Sequence, residues 1–171
     1  MRFSAKFEYA LLALLYLKCE PDEEPVSGRV LSEKLSLPYR FLEQILSDLK
    51  KSGLVRSVRG YKGGYQFNRD PDTVSIFDIY EVTEGKMEPW DCSSQGEELR
   101  CGSDYNQCVI NQFYADFKKT FRDLMKSYTL GRLCRQTQSI KAGADPHASS
   151  EQVVKNIKTT VLDITKGLKA Q

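Results

Sequence analysis

The 171-residue sequence contains no apolar run that approaches the ~20 residues of a membrane span, so no membrane partner is predicted. Charged residues interrupt the N-terminal segment MRFSAKFEYALL, which predicts no signal peptide and a cytoplasmic location. The sequence also lacks a nucleophile paired with a base, a paired-acid site and a phosphate-binding loop. GYKGGY has neither the following helix nor the lysine context that such a loop needs. Enzymatic activity is therefore not expected.

Histidine is nearly absent, and the one copy, His147, lies in a polar segment and is not expected to be a ligand. The five cysteines are an odd number, which fits a disulfide framework poorly and favours metal, redox or core roles. Three of them occur in CSSQGEELRCGSDYNQC, from Cys92 to Cys108. Their thiolates suit an iron-sulfur cluster or zinc, but both usually need a fourth protein ligand. Cys19 and Cys134 follow or end apolar helices and are predicted to be packing residues.

Basic charge is concentrated in one stretch, although the formal net charge is only +2. Residues 50–69 contain six basic side chains and no acid: Lys50, Lys51, Arg56, Arg59, Lys62 and Arg69. Such a stretch could neutralise DNA phosphates, or it could be a solvated basic face. The local structure around it is therefore needed to decide between the two.

The residues before and within this stretch predict a winged helix-turn-helix. Ser27 caps a helix in GRVLSEKLSL, and YRFLEQILSDLKKSG repeats apolar residues at helical spacing until Gly53 ends it. Alternation in LVRSVRG and GYQFNR around YKGG predicts a β-hairpin, which would be the wing. The fold class is thus mainly α with a small β-hairpin. The candidate DNA-binding residues are Tyr39, Arg40, Glu43, Gln44, Arg56, Arg59 and Lys62.

Two of these candidates have specific interpretations. Glu43 would be tolerated near DNA mainly where it accepts a hydrogen bond from cytosine N4, the alternative being a solubilising surface acid. Arg59, at the turn of the wing, suits a narrow minor groove, the alternative being a phosphate contact.

A strand-like TVSI leads into a helix that Gly85 ends, and a long helix begins after the cysteines. Its apolar stripe predicts a homodimer, although it could also cover the core of the winged helix. The stripe is Ile110, Phe113, Phe117, Phe121, Leu124 and Tyr128. Four regions follow: a winged helix-turn-helix domain (1–84), a cysteine-bearing cluster loop (85–108), a dimerisation helix (109–134), and a polar linker with a C-terminal amphipathic helix (135–171). That last helix could meet a protein partner.

MRFSAKFEYAL, LPYRFLEQILSDLKKSGLVRSVRGYKGGYQF and the three-cysteine loop before a long helix together resemble one protein family. It comprises the bacterial winged-helix regulators typified by IscR, NsrR, RirA and CymR. The resemblance spans residues 1–132 and implies a homodimeric transcriptional regulator that binds partly palindromic, double-stranded operator DNA.

The resemblance also implies a cofactor. Several members hold an iron-sulfur cluster on three cysteines, here Cys92, Cys101 and Cys108, with 2Fe-2S favoured and 4Fe-4S as the other form; CymR-like members hold none. The histidine of IscR-like members is replaced by Asn111, and the acidic ligand of NsrR-like members, supplied by the partner subunit, corresponds to Glu8. A cluster would let operator binding report iron, redox or cysteine status. A cluster-free, zinc or thiol-switch repressor is the alternative.

Overall fold

The computed structural model describes residues 3–19, 24–87 and 108–143. The chain divides into two units, Met1–Leu133 and Cys134–Gln171. Helix α1 spans Ala5–Cys19. No helix among the described residues is long and apolar enough to cross a membrane.

Helices α2 (Gly28–Leu35) and α3 (Tyr39–Lys51) form the helix-turn-helix. The side chain of Ser27 accepts a hydrogen bond from the Val30 amide at 3.2 Å, as an N-cap should. Helix α2 is followed by Ser36, whose φ of 54° is left-handed and turns the chain toward Pro38. The apolar face of α3 is buried, through Leu42, Ile45, Leu46 and Leu49. The predicted helix-turn-helix is confirmed.

Strands β1 (Val55–Val58) and β2 (Gly64–Phe67) form the antiparallel wing. Their register pairs Val55 with Phe67 and Val58 with Gly64. The other edge of β2 also has a partner, because the amides and carbonyls of Val26 and Tyr65 exchange hydrogen bonds of 2.9 and 2.8 Å. The wing is therefore attached to the segment that leads into α2.

Helix α4 spans Ile76–Glu84 and begins with a capping box between Ser75 and Asp78. The preceding segment was expected to be strand-like; in the structure it contributes an isolated bridge from Ser75 to Thr129 rather than a strand. That bridge interrupts the helix expected over 109–134, because the chain there pairs its backbone with the segment before α4. Helix α5 consequently spans Val109–Ser127 and α6 spans Leu130–Lys141.

The core of the first unit lies between α1, α3 and α4, and the strand segments close one side of it. The largest side chains with almost no exposed surface include Leu14, Leu31, Leu42, Ile45, Leu46, Leu49, Leu54, Val74 and Ile79. Burial of this size is the main source of stability for such a module. It also holds α3 and the wing in fixed positions.

Candidate nucleic-acid interface and cysteine site

Three candidate DNA-binding residues of α3 are exposed on its polar face. Tyr39 lies at the start of the helix with 44% of its surface exposed, and Arg40 and Gln44 are also exposed. Because the buried face of α3 is fixed against α1 and α4, these three side chains lie on the side that faces outward. A helix presented in this way can enter a major groove.

The wing carries the other basic candidates, all of them exposed. Arg56 donates from Nε and Nη2 to Oε1 of Gln66, its cross-strand neighbour, at 3.2 and 2.9 Å. Lys62 approaches Glu24 with an Nζ to Oε1 distance of 3.7 Å, and both side chains are more than two-thirds exposed. Such an exposed pair is weak and can exchange for a phosphate contact. Arg59 stands next to Gly60, at the turn.

Glu43 differs from the other candidates because it is half-buried and has neighbours within the protein. The hydroxyl of Tyr65, on the wing, donates to its Oε2 at 3.5 Å. The pKa of Tyr65 is raised above its usual 10.0, mainly because the hydroxyl is partly buried and also because the charge of Glu43 is close to it. The hydroxyl therefore keeps its proton at neutral pH. The other oxygen, Oε1, lies so close to Gly28 that a Cβ there would be only 2.2 Å away. Sequence reasoning assigned neither Gly28 nor Tyr65 to the site.

Tyr61 was also missed by the sequence reasoning. It lies in the turn of the wing between Arg59 and Lys62, and its side chain is completely exposed. A signal was present, since an aromatic residue at the tip of a basic hairpin contributes nothing to a core. Its position adds an apolar ring to the basic surface.

The cysteine site is described only in part, because Cys92 and Cys101 lie outside the described residues. Cys108 is a half-buried free thiol at the N-cap of α5, and Glu8 is an exposed carboxylate in the first turn of α1. The described residues contain no group of three or more metal-ligating side chains. Cys108 and Glu8 are nevertheless donors of the types that the expected ligand set requires.

The other two described cysteines have a different chemistry from the one expected. Cys19 and Cys134 are each disulfide-bonded, so the prediction that they only pack in the core is wrong. Cys134 is also buried, as its apolar sequence neighbours suggested.

Helix α5 leaves much of its apolar stripe exposed. Its C-terminal half buries Met125 and packs Phe121 against the core, whereas its N-terminal half exposes Val109 at 79% and Phe113 at 61%. Stacked ring pairs continue from Phe113 to Phe117 and from Phe117 to Phe121, with centroids 6.4 and 5.9 Å apart. An apolar row of this kind usually marks an interaction surface.

Comparison with known proteins decides the family. The model of the Rrf2 family, described as an iron-dependent transcriptional regulator, matches residues 3–136. The chain belongs to the Rrf2 family. IscR of Vibrio cholerae is 29% identical to it over 164 residues, which cover 94% of this chain and 92% of that protein.

Solved structures of Rrf2-type regulators share the fold. CymR, the global cysteine regulator of B. subtilis, superposes with a TM-score of 0.65 at 26% identity, over 79% of this chain and 97% of that one. IscR of T. potens superposes with a TM-score of 0.64 at 29% identity, over 80% and 88%. The chain is therefore a DNA-binding transcriptional regulator, and its relatives are regulators rather than enzymes. The resemblance inferred from the sequence and the winged-helix fold class are both confirmed.

Proposed function

We propose that this Rrf2-family regulator binds a partly palindromic operator as a homodimer, with α3 in the major groove and the wing over the backbone or minor groove. The observation that supports this most directly is the common exposure of Arg40, Gln44, Arg56, Arg59 and Lys62 on α3 and the wing, which the core and the Val26 contact hold in place. Exposed basic side chains of this kind bind phosphates with release of counterions. The expected result is duplex binding that weakens steeply with salt.

The second part of the proposal is that α5 forms the dimer interface through its exposed N-terminal half. The apolar side chains there, Val109, Ile110, Phe113 and Phe117, are too exposed to stabilise the first unit and match the stripe expected of a dimerisation helix. Phe113→Asp should shift the protein toward monomer in analytical ultracentrifugation. Val30→Asp, a charge placed on an exposed apolar residue of α2 rather than of α5, is the control and should leave the mass unchanged.

The third part concerns the signal. Cys92, Cys101 and Cys108, with Glu8 of the partner subunit, would hold an iron-sulfur cluster, 2Fe-2S being favoured. Its support is that Cys108 is a free thiol immediately before Val109, where the exposed apolar face of α5 begins, so ligand and proposed dimer interface are adjacent. The N-cap position favours an anionic ligand, since the positive end of the helix dipole lies there. When bound, a cluster would supply a redox centre whose carboxylate ligand is a weak one.

Cluster-free sensing is a second candidate, and the likeness to CymR favours it. In that case the three cysteines would respond as thiols or bind zinc, and operator binding would follow cysteine or redox status directly. The two candidates share the DNA-binding and dimer surfaces and differ only in what the cysteines hold.

Anaerobic purification with an absorbance spectrum and iron and sulfide analysis separates them. Visible absorbance with matching iron and sulfide is expected, and Cys101→Ala should abolish it. Colourless protein with stoichiometric zinc or reactive thiols would support the second candidate. In Glu8→Ala the cluster should be lost more readily on exposure to air; full retention would remove Glu8 from the ligand set.

A further inference from the structure

The carboxylate of Glu43 lies where three parts of the DNA-binding module meet. Glu43 belongs to α3, Gly28 is the first residue of α2, and Tyr65 is in the wing strand β2. The ring of Tyr39 completes this group, 3.5 Å from the position of a Cβ on Gly28. We call Gly28, Tyr39, Glu43 and Tyr65 the Glu43 cluster. A surface acid that only improves solubility would need none of these neighbours.

The backbone of Tyr65 is paired on both edges of strand β2. On one side it pairs with Ser57 of β1, and on the other its amide and carbonyl bond to Val26. Gly64 allows this close approach, because a Cβ there would lie 2.4 Å from the backbone of Val26. The hydroxyl of Tyr65 is therefore presented to Glu43 from a fixed backbone.

Gly28 limits Glu43 from the other side. With hydrogen in place of a side chain, it admits Oε1 against the first turn of α2, where the positive end of the helix dipole favours a negative charge. A carboxylate has about four acceptor positions. After accepting from Tyr65, Glu43 keeps acceptor capacity for a donor on the edge of a base.

We propose that Tyr65 and Gly28 are positioning residues that set the orientation of the Glu43 carboxylate, so that they contribute to operator specificity through Glu43. The inference rests on the proposed placement of α3 in the major groove. A carboxylate there is repelled by phosphates and discriminates by accepting from the exocyclic amino group of a base, above all that of cytosine. Discrimination requires a fixed orientation, because a mobile glutamate would turn toward solvent at every base pair. The Glu43 cluster supplies that orientation without a direct contact between Tyr65 and DNA.

The test compares base preference rather than overall affinity. Selection from a randomised duplex library defines the preferred sequence of the wild-type protein, and dissociation constants are then measured for each single-base variant at one salt concentration. Glu43→Ala identifies the positions whose preference depends on the carboxylate. At those positions Tyr65→Phe should lower the preference about threefold, the lower end of the effect of losing one hydrogen bond, because its donor and acceptor lie 3.5 Å apart. Affinity for duplex without the preferred sequence should stay within about twofold.

Two further variants make the result specific. Gly28→Ala displaces the carboxylate without touching the wing and should relax the same positions. Tyr80→Phe removes a hydroxyl from a half-buried tyrosine of α4, outside the Glu43 cluster, and should leave every preference unchanged. Tyr65→Phe retains the ring and hence its packing, and thermal unfolding checks that it folds.

The inference is overturned if Tyr65→Phe and Gly28→Ala keep the wild-type preference at the positions that Glu43→Ala identifies. It is also overturned if they weaken binding equally at all sequences, or if Glu43→Ala changes no preference. Failure of the proposed function looks different, because the wild-type protein would then show no salt-dependent binding to any duplex and the inference would lose its basis.

Discussion

Gly64→Ala should detach the wing from the segment that leads into the helix-turn-helix. An ideal Cβ at Gly64 would lie 2.4 Å from the carbonyl carbon and oxygen of Val26 and 2.7 Å from the amide nitrogen of Ser27. These neighbours are backbone atoms, so no side-chain rotation relieves the overlap. The two segments must separate by about 1 Å to restore ordinary van der Waals contact.

That separation determines the magnitude. The hydrogen bonds between Val26 and Tyr65, at 2.9 and 2.8 Å, would stretch beyond the range of a hydrogen bond. Each contributes about 0.5–1.5 kcal/mol, so the expected loss in the free energy of unfolding is about 1–3 kcal/mol. Gly28→Ala is the matched control, because its new methyl group overlaps only the movable end of Glu43 and lies at an ordinary contact distance of 3.5 Å from the ring of Tyr39. We expect it to change the free energy of unfolding by less than about 0.5 kcal/mol.

Urea unfolding followed by circular dichroism, at one protein concentration, measures the difference. Amide hydrogen exchange locates it: the amides of Val26 and Tyr65 should lose protection in Gly64→Ala, while those of α3 should keep it. A Gly64→Ala protein with the wild-type midpoint and with both amides still protected would show that the close contact at Gly64 does not hold the wing in place. Equal destabilisation by Gly28→Ala would contradict that role too.

Three other predictions concern the core, one ion pair and the wing. Leu46 is fully buried, so Leu46→Ala should lower the free energy of unfolding by about 2–5 kcal/mol in the urea assay, and a loss below about 1 kcal/mol would contradict its burial. The hydrogen bond from Lys6, 2.9 Å away, is the main cause that holds the pKa of Asp48 below its usual 3.8. Because that pKa is lowered by folding, its contribution is present above the unfolded pKa and is lost as pH falls through the folded one. The stability deficit of Asp48→Asn, at most about 1 kcal/mol for a pair whose side chains are about a third exposed, should therefore shrink as the pH falls from about 6 to about 3, and a deficit that grows on acidification would contradict this. Arg59→Ala should make the negative slope of log affinity against log salt shallower by about one without changing stability. An unchanged slope would place Arg59 away from the DNA.

The local elements of the module could be predicted from the sequence because each depends on residues close together in the chain. Ser27 caps α2 because its hydroxyl reaches an amide three residues ahead. Gly53 follows the last turn of α3 with a φ of +75°. The residue past a helix end often adopts this left-handed conformation, which glycine favours. The apolar spacing of α3 likewise marks the face that the core buries.

Features that join distant segments could not be predicted in the same way. The Glu43 cluster depends on contacts between residues 15 and 22 positions apart, which no periodicity reveals. The division between α5 and α6 depends on the pairing of Thr129 with Ser75. For the cysteine site, Cys92 and Cys101 remain predictions from the sequence and its resemblance, as do His147 as a non-ligand and the C-terminal amphipathic helix, since all four lie outside the described residues.

Control of DNA binding by the cysteine site is tested most directly by measuring the affinity of cluster-loaded and cluster-free protein for the same operator. Both forms are prepared anaerobically, the second by chelation, and their dissociation constants are measured at one salt concentration. We expect the two constants to differ by about tenfold or more, in either direction, and Cys101→Ala to behave as the cluster-free form. Equal constants for the two forms would contradict the claim that the cysteine site controls DNA binding.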